Sequence, residues 1–109
     1  MLPTITNLFP APAAAENPEA ETIHPLINTP ALRLEQIISR GQASPPGHWY
    51  DQPDDEWVMI MRGTATLDFG DEGALELKAG DSLTIPAHQR HRVQQVSDDA
   101  VWIALHMKA

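Results

Sequence analysis

The chain has no cysteine, which excludes disulfides, thiolate metal centres and a cysteine nucleophile together. Any metal site must use nitrogen and oxygen ligands. Bases are scarce: seven Lys and Arg stand against fifteen Asp and Glu, for a formal charge of -8, and no window gathers the bases into a stripe. The footprint expected of a nucleic-acid or anionic-membrane partner is missing, so the acidity reads as a soluble, self-repelling surface. Also missing is any run approaching the roughly 20 apolar residues of a membrane span, or a basic stretch leading into an apolar one. The cytoplasm is the expected location. Neither Ser44 nor Ser82 sits in a Gly-x-Ser-x-Gly elbow, and there is no glycine-rich phosphate loop and no basic-aromatic ladder. At 109 residues the chain has room for one core, and one site is expected.

Six of the ten prolines fall in the first thirty residues, interleaved with alanine and acids in FPAPAAAENPEAE. That stretch cannot form a regular helix or a central strand. Residues 1–30 therefore read as a Pro/Ala-rich extension. Its apolar Leu2, Ile5, Leu8 and Phe9 either lie against the body of the protein or a second subunit, or belong to a disordered tail.

From Ala31 to Ala109 the sequence breaks into seven β-like runs: ALRLEQIIS, EWVMIMR, ATLDF, ALELK, SLTIP, HRVQQV and VWIALHM. Gly63, Gly70, Gly73, Ala79-Gly80-Asp81 and Ser97-Asp98-Asp99 punctuate them. Short strands with regular turns predict an all-β sandwich or barrel. Alternation in ATLDF marks a half-buried strand. EWVMIMR is apolar on both faces, with Val58 and Ile60 opposite Trp57, Met59 and Met61. Its second face needs cover from the N-terminal segment or a partner subunit.

The order of residues from Gly41 to His91 resembles the two signature motifs of the cupin superfamily. In the second motif Gly80, Pro86 and His91 stand at the family's spacings in GDSLTIPAHQRH, with His88 where glycine is expected. In the first, Glu56 and Gly63 fit, but the paired histidine positions carry Tyr50 and Gln52, or Trp49 and Asp51 on the longer count. His48 falls two residues too early for an unmodified loop. With its WYDQ segment the chain is similar to a subgroup of small bacterial cupins with an altered metal motif. The resemblance implies an antiparallel double-stranded β-helix, or jelly-roll barrel, with one internal pocket. It also makes a homodimer the expected assembly.

Residues of equal parity share a face of an extended strand, so Tyr50, Gln52, Glu56, Val58 and Ile60 are expected to point together. With His91 they assemble a phenol, an amide, a carboxylate and an imidazole over an apolar floor, the make-up of a small-ligand pocket. Gln52, Glu56 and His91 are the candidate metal ligands and Tyr50 the candidate proton donor. Hard nitrogen and oxygen donors suit a divalent ion such as Zn, Mn, Ni or Fe. Tyr50, His88 and His106 are candidate ligand contacts. His88 stands equally for a backbone contact at the barrel mouth. In VWIALHM the face of Ile103, Leu105 and Met107 is the more apolar and is expected to be core, leaving His106 peripheral. His24 carries no signal. Two uses of the pocket follow: metal-assisted chemistry on a small polar metabolite, by oxygenation, isomerisation or lyase action, or non-catalytic binding of a small molecule without metal.

Overall fold

The computed structural model describes residues 1–8, 21–41, 43–45 and 47–108. The Pro/Ala-rich run at 9–20 lies outside the described residues. Among the described residues eight strands form, one more than the seven runs: β1 (Thr22–Asn28), β2 (Leu32–Ile38), β3 (Asp54–Arg62), β4 (Thr64–Asp68), β5 (Ala74–Lys78), β6 (Ser82–Ile85), β7 (Arg92–Val96) and β8 (Val101–Lys108). The additional strand, β1, falls inside the segment read as an extension. Its Pro25 cannot donate to a ladder, and the strand sits at a sheet edge with a register shift between Pro25 and Ile27, where proline is tolerated.

The strands form two antiparallel sheets, one ordered β1-β2-β8-β3-β6 and the other β5-β4-β7. Between them lies the core of Val58, Ile60, Ala65, Leu67, Leu77, Ile85, Val96, Ala100, Trp102 and Ala104. This is the double-stranded β-helix. Alternation decides the layout: Glu56, Val58 and Ile60 are buried on β3, Ala65 and Leu67 on β4, and Trp102, Ala104 and His106 on β8.

Two turns need glycine. Gly63 takes the chain from the large sheet to the small one at φ 82°, and Gly80 (φ 93°) donates its N–H to Ile60 O at 2.7 Å ahead of β6. Both conformations strain any residue with a Cβ.

The outer face of the large sheet carries Leu34, Leu105 and Trp57 in one cross-strand row and Gln36, Ile103 and Met59 in the next. The apolar members are half-buried, whereas Gln36 is 1% exposed and its Nε2 donates to Leu8 O at 3.2 Å. The N-terminal segment thus reaches this face, while Met1, Leu2 and Ile5 stay exposed. No helix among the described residues is long and apolar enough to cross a membrane.

Candidate functional site

A cavity of about 240 Å³ opens between the sheets, a volume that suits a small metabolite rather than a drug-sized ligand. Val58, Leu67, Ile85, Val93 and Trp102 give it an apolar lining, and Tyr50, Gln52, Glu56, His91 and His106 are among its polar residues. The parity argument therefore places Tyr50, Gln52 and Glu56 where the structure has them.

Register brings the polar groups together. Glu56 on β3 lies directly opposite His106 on β8, which lies opposite Arg33 on β2. Tyr50 and His91 are locked by a two-way bridge, Tyr50 N to His91 O at 2.7 Å and His91 N to Tyr50 O at 3.1 Å. Their rings stack at a tilt of 31° with centroids 5.5 Å apart.

Glu56 is bracketed by imidazoles. Its Oε1 is 3.6 Å from His91 Nε2 and its Oε2 is 3.4 Å from His106 Nε2. His106 Nε2 is also 3.3 Å from Glu35 Oε1, and Glu35 Oε2 is 3.0 Å from Arg33 Nε. The result is a chain of alternating basic and acidic groups, Arg33-Glu35-His106-Glu56-His91, whose last four members are buried. His91 Nδ1 lies 2.9 Å from Gln89 O. A carbonyl can only accept, so Nδ1 carries a proton and Nε2 is the atom that faces Glu56. Burial opposes charge on His91, but the Glu56 carboxylate and the Gln89 carbonyl outweigh it and raise its pKa above 6.5. Burial also raises the Tyr50 phenol above 10.0, helped by Glu21 and Glu56, so this phenol keeps its proton at neutral pH.

Two placements correct the sequence reading. His106 lines the cavity, where a candidate ligand contact belongs, and is not peripheral: Trp102, Ala104 and His106 face the interior, while Ile103, Leu105 and Met107 form the half-buried outer face. Counting apolar residues failed because a face that lines a cavity carries polar groups, and the opposite face of the same strand is apolar for another reason. His88 does not reach the cavity. It adopts φ 64° at the position expected to be glycine, and its exposed ring pairs with Asp51 at 2.8 Å. The sequence reading missed Glu35 and Glu21, both of which line the cavity. Glu35 was legible as the acid at an inward position of LRLEQII, next but one to Ile37.

Glu21, just before β1, has its carboxyl pKa raised above 4.5 by burial, with Ser39 opposing and Glu56 and Glu35 adding repulsion. A raised folded-state pKa means that the folded chain binds the proton more tightly than the unfolded chain. Its stabilising effect is therefore full below pH 4.5 and is lost as pH rises through the folded value. Glu21→Gln should accordingly raise the thermal midpoint at pH 7 by several degrees, with the gain vanishing near pH 4. Equal midpoints for the two proteins at pH 7 would show that Glu21 is solvated.

Together the two facing sheets and the lined cavity define a β-barrel protein with one polar-walled cavity between its sheets. A cupin-domain family model matches residues 34–106, and the chain belongs to the cupin family. It is 44% identical to a Ralstonia eutropha protein of known structure, provisionally described as a mannose-6-phosphate isomerase. The match covers 98% of this chain and all of the other, with a TM-score of 0.86. A cupin-superfamily protein from Desulfitobacterium hafniense (20% identity, TM-score 0.76, covering 99% and 95% of the two chains) shares the fold. So does an RmlC-like cupin from Methanocaldococcus jannaschii (16%, TM-score 0.73, 99% and 93%). No curated protein matches the sequence.

Cupins commonly bind a divalent metal ion. Here the donor types suit one, but the arrangement does not: the two Glu56 oxygens face different imidazoles, Tyr50 holds its proton, and Gln52 is neutral. Among the described residues no three His, Asp or Glu side chains converge on one point. The residues as placed do not fit a preformed metal centre.

Proposed function

We propose that this chain is an enzyme that moves a proton on a small polar metabolite. Glu56 with His91 and His106 is the acid-base unit, and Tyr50 is a proton donor at the cavity wall. The observation that carries the reading is the Glu56 carboxylate held between two buried imidazoles at the cavity wall. Such a set holds a proton at one nitrogen and accepts another nearby, as proton abstraction beside a carbonyl requires. The isomerase description of the Ralstonia relative supports the same class of chemistry.

The test is deuterium incorporation. Small hydroxy- and amino-carbonyl compounds incubated with the protein in D2O should exchange the hydrogen beside the carbonyl, as followed by NMR. His91→Ala should slow that exchange by about 100-fold or more. No exchange by the wild type across the set would sink turnover and leave the non-catalytic binding reading, which predicts ligand-induced thermal shifts that His91→Ala removes.

One observation favours a second reading, metal assistance. His91 presents Nε2 rather than Nδ1 to the cavity, with its other nitrogen anchored on a carbonyl, as ligating histidines do. On that reading Glu56, His91 and Gln52 would close on a Zn, Mn, Ni or Fe ion. Elemental analysis of untagged protein should then find metal near one per chain, falling at least tenfold in His91→Ala and less in Glu56→Gln. Metal-free wild type would end it.

The apolar outer face and the exposed Leu2 and Ile5 support a homodimer in which a second copy covers them. Sedimentation should give twice the 12.0 kDa chain mass. A monomer at micromolar concentration would contradict it.

A further inference from the structure

Three carboxylates, Glu21, Glu35 and Glu56, line the same cavity, and they are not equally balanced. Glu35 pairs with Arg33 and His106, and Glu56 with His91 and His106. Glu21 instead meets the Ser39 hydroxyl and the repulsion of the other two acids. Its backbone position also lies well along the sheet from that of the arginine. Thr22 beside it pairs with Ile38, five residues along β2 from Arg33, or roughly 16 Å at about 3.3 Å per residue. The arginine of the cavity is thus committed to Glu35, while among the described residues Glu21 faces a hydroxyl and two acids and no basic group.

We infer that the site takes a ligand bearing an amine, and that Glu21 is the residue that selects it by receiving the ammonium group. The inference rests on the cavity being a ligand site, as proposed above, and adds the charge of the ligand. An ammonium at Glu21 relieves the mutual repulsion of three acids and gains a charge-assisted hydrogen bond in a partly dehydrated site. A phosphate dianion meets the reverse situation. Among the described residues the cavity's arginine and histidines already face carboxylates, so phosphate would have to displace an ion pair and approach uncompensated Glu21. The phosphorylated sugar in the description of the Ralstonia relative is therefore not the chemistry that this cavity favours.

Three probes of matched size separate the possibilities in thermal-shift titrations of the full chain at fixed ionic strength and pH 7.5: 3-amino-1-propanol, 1,3-propanediol and inorganic phosphate. The amine should raise the midpoint saturably, and the diol and phosphate should not. Glu21→Gln, which keeps the shape and the hydrogen bond to Ser39, should raise the half-saturating amine concentration at least tenfold while remaining folded. Amine binding unchanged in Glu21→Gln would overturn the assignment of Glu21. Phosphate or diol binding without amine binding, lost in His91→Ala, would overturn the charge class but leave the cavity reading intact. A wild type unaffected by all three would overturn the inference; deuterium exchange tests the cavity reading independently.

Discussion

Gly63→Val should lower the stability of the barrel by about 2–4 kcal/mol and leave the cavity chemistry of the folded fraction unchanged. Two causes act together. At φ 82° the backbone is left-handed, which a β-branched residue adopts only under strain. A Cβ at this position would also collide with Ser97 Oγ and stand 2.9 Å from Asp99 Oδ1 and 3.0 Å from Ala100 Cα. Ser97 could rotate away only by giving up hydrogen bonds, since its Oγ accepts from Thr64 N at 3.0 Å and donates to Asp99 at 2.9 Å. Ala100, fully buried in the core, has nowhere to go. The denaturant midpoint should fall with little change in slope. An unchanged midpoint would mean that the link between β3 and β4 has other conformations open to it.

The largest functional effect is expected at Glu56. Glu56→Gln keeps the shape and one oxygen acceptor but removes the charge that faces His91 and His106. Histidine can shed its proton, so the folded chain avoids a stranded buried cation and should lose less than the 3–5 kcal/mol typical of a broken buried pair. Proton transfer should suffer instead. Deuterium exchange should fall by about 100-fold or more, through kcat rather than KM. An exchange rate within threefold of wild type would show that the carboxylate is a structural partner of the imidazoles.

The barrel was legible because strand alternation and turn chemistry are local. ATLDF gives the inward Ala65 and Leu67 directly, and GDSLTIPAHQRH contains the Gly80 turn, the β6 strand and the return that brings His91 inside. The Tyr50, Gln52, Glu56 row was legible for the same reason, since the loop before β3 keeps the parity of the strand. What failed depends on which face of a strand meets which neighbour. The apolar face of VWIALHM looks outward, and His106 was misplaced because its partners Glu35 and Glu56 come from strands 71 and 50 residues away in sequence. β1 was hidden by proline, which ordinarily argues against a strand and here marks an edge. His88 stands where the motif has glycine, and its left-handed backbone and exposed ring, paired with Asp51, show that the position serves the turn and not the cavity.

The central claim is that Glu56 and His91 work as a charged pair at the wall of the cavity, and NMR titration of the His91 ring in chelator-treated protein tests it most directly. In wild type the midpoint should lie above 6.5, because the Glu56 carboxylate and the Gln89 carbonyl together outweigh the burial that would otherwise lower it. In Glu56→Gln the midpoint should fall, as burial loses its main opponent. A His91 midpoint that is the same in both proteins would contradict the account.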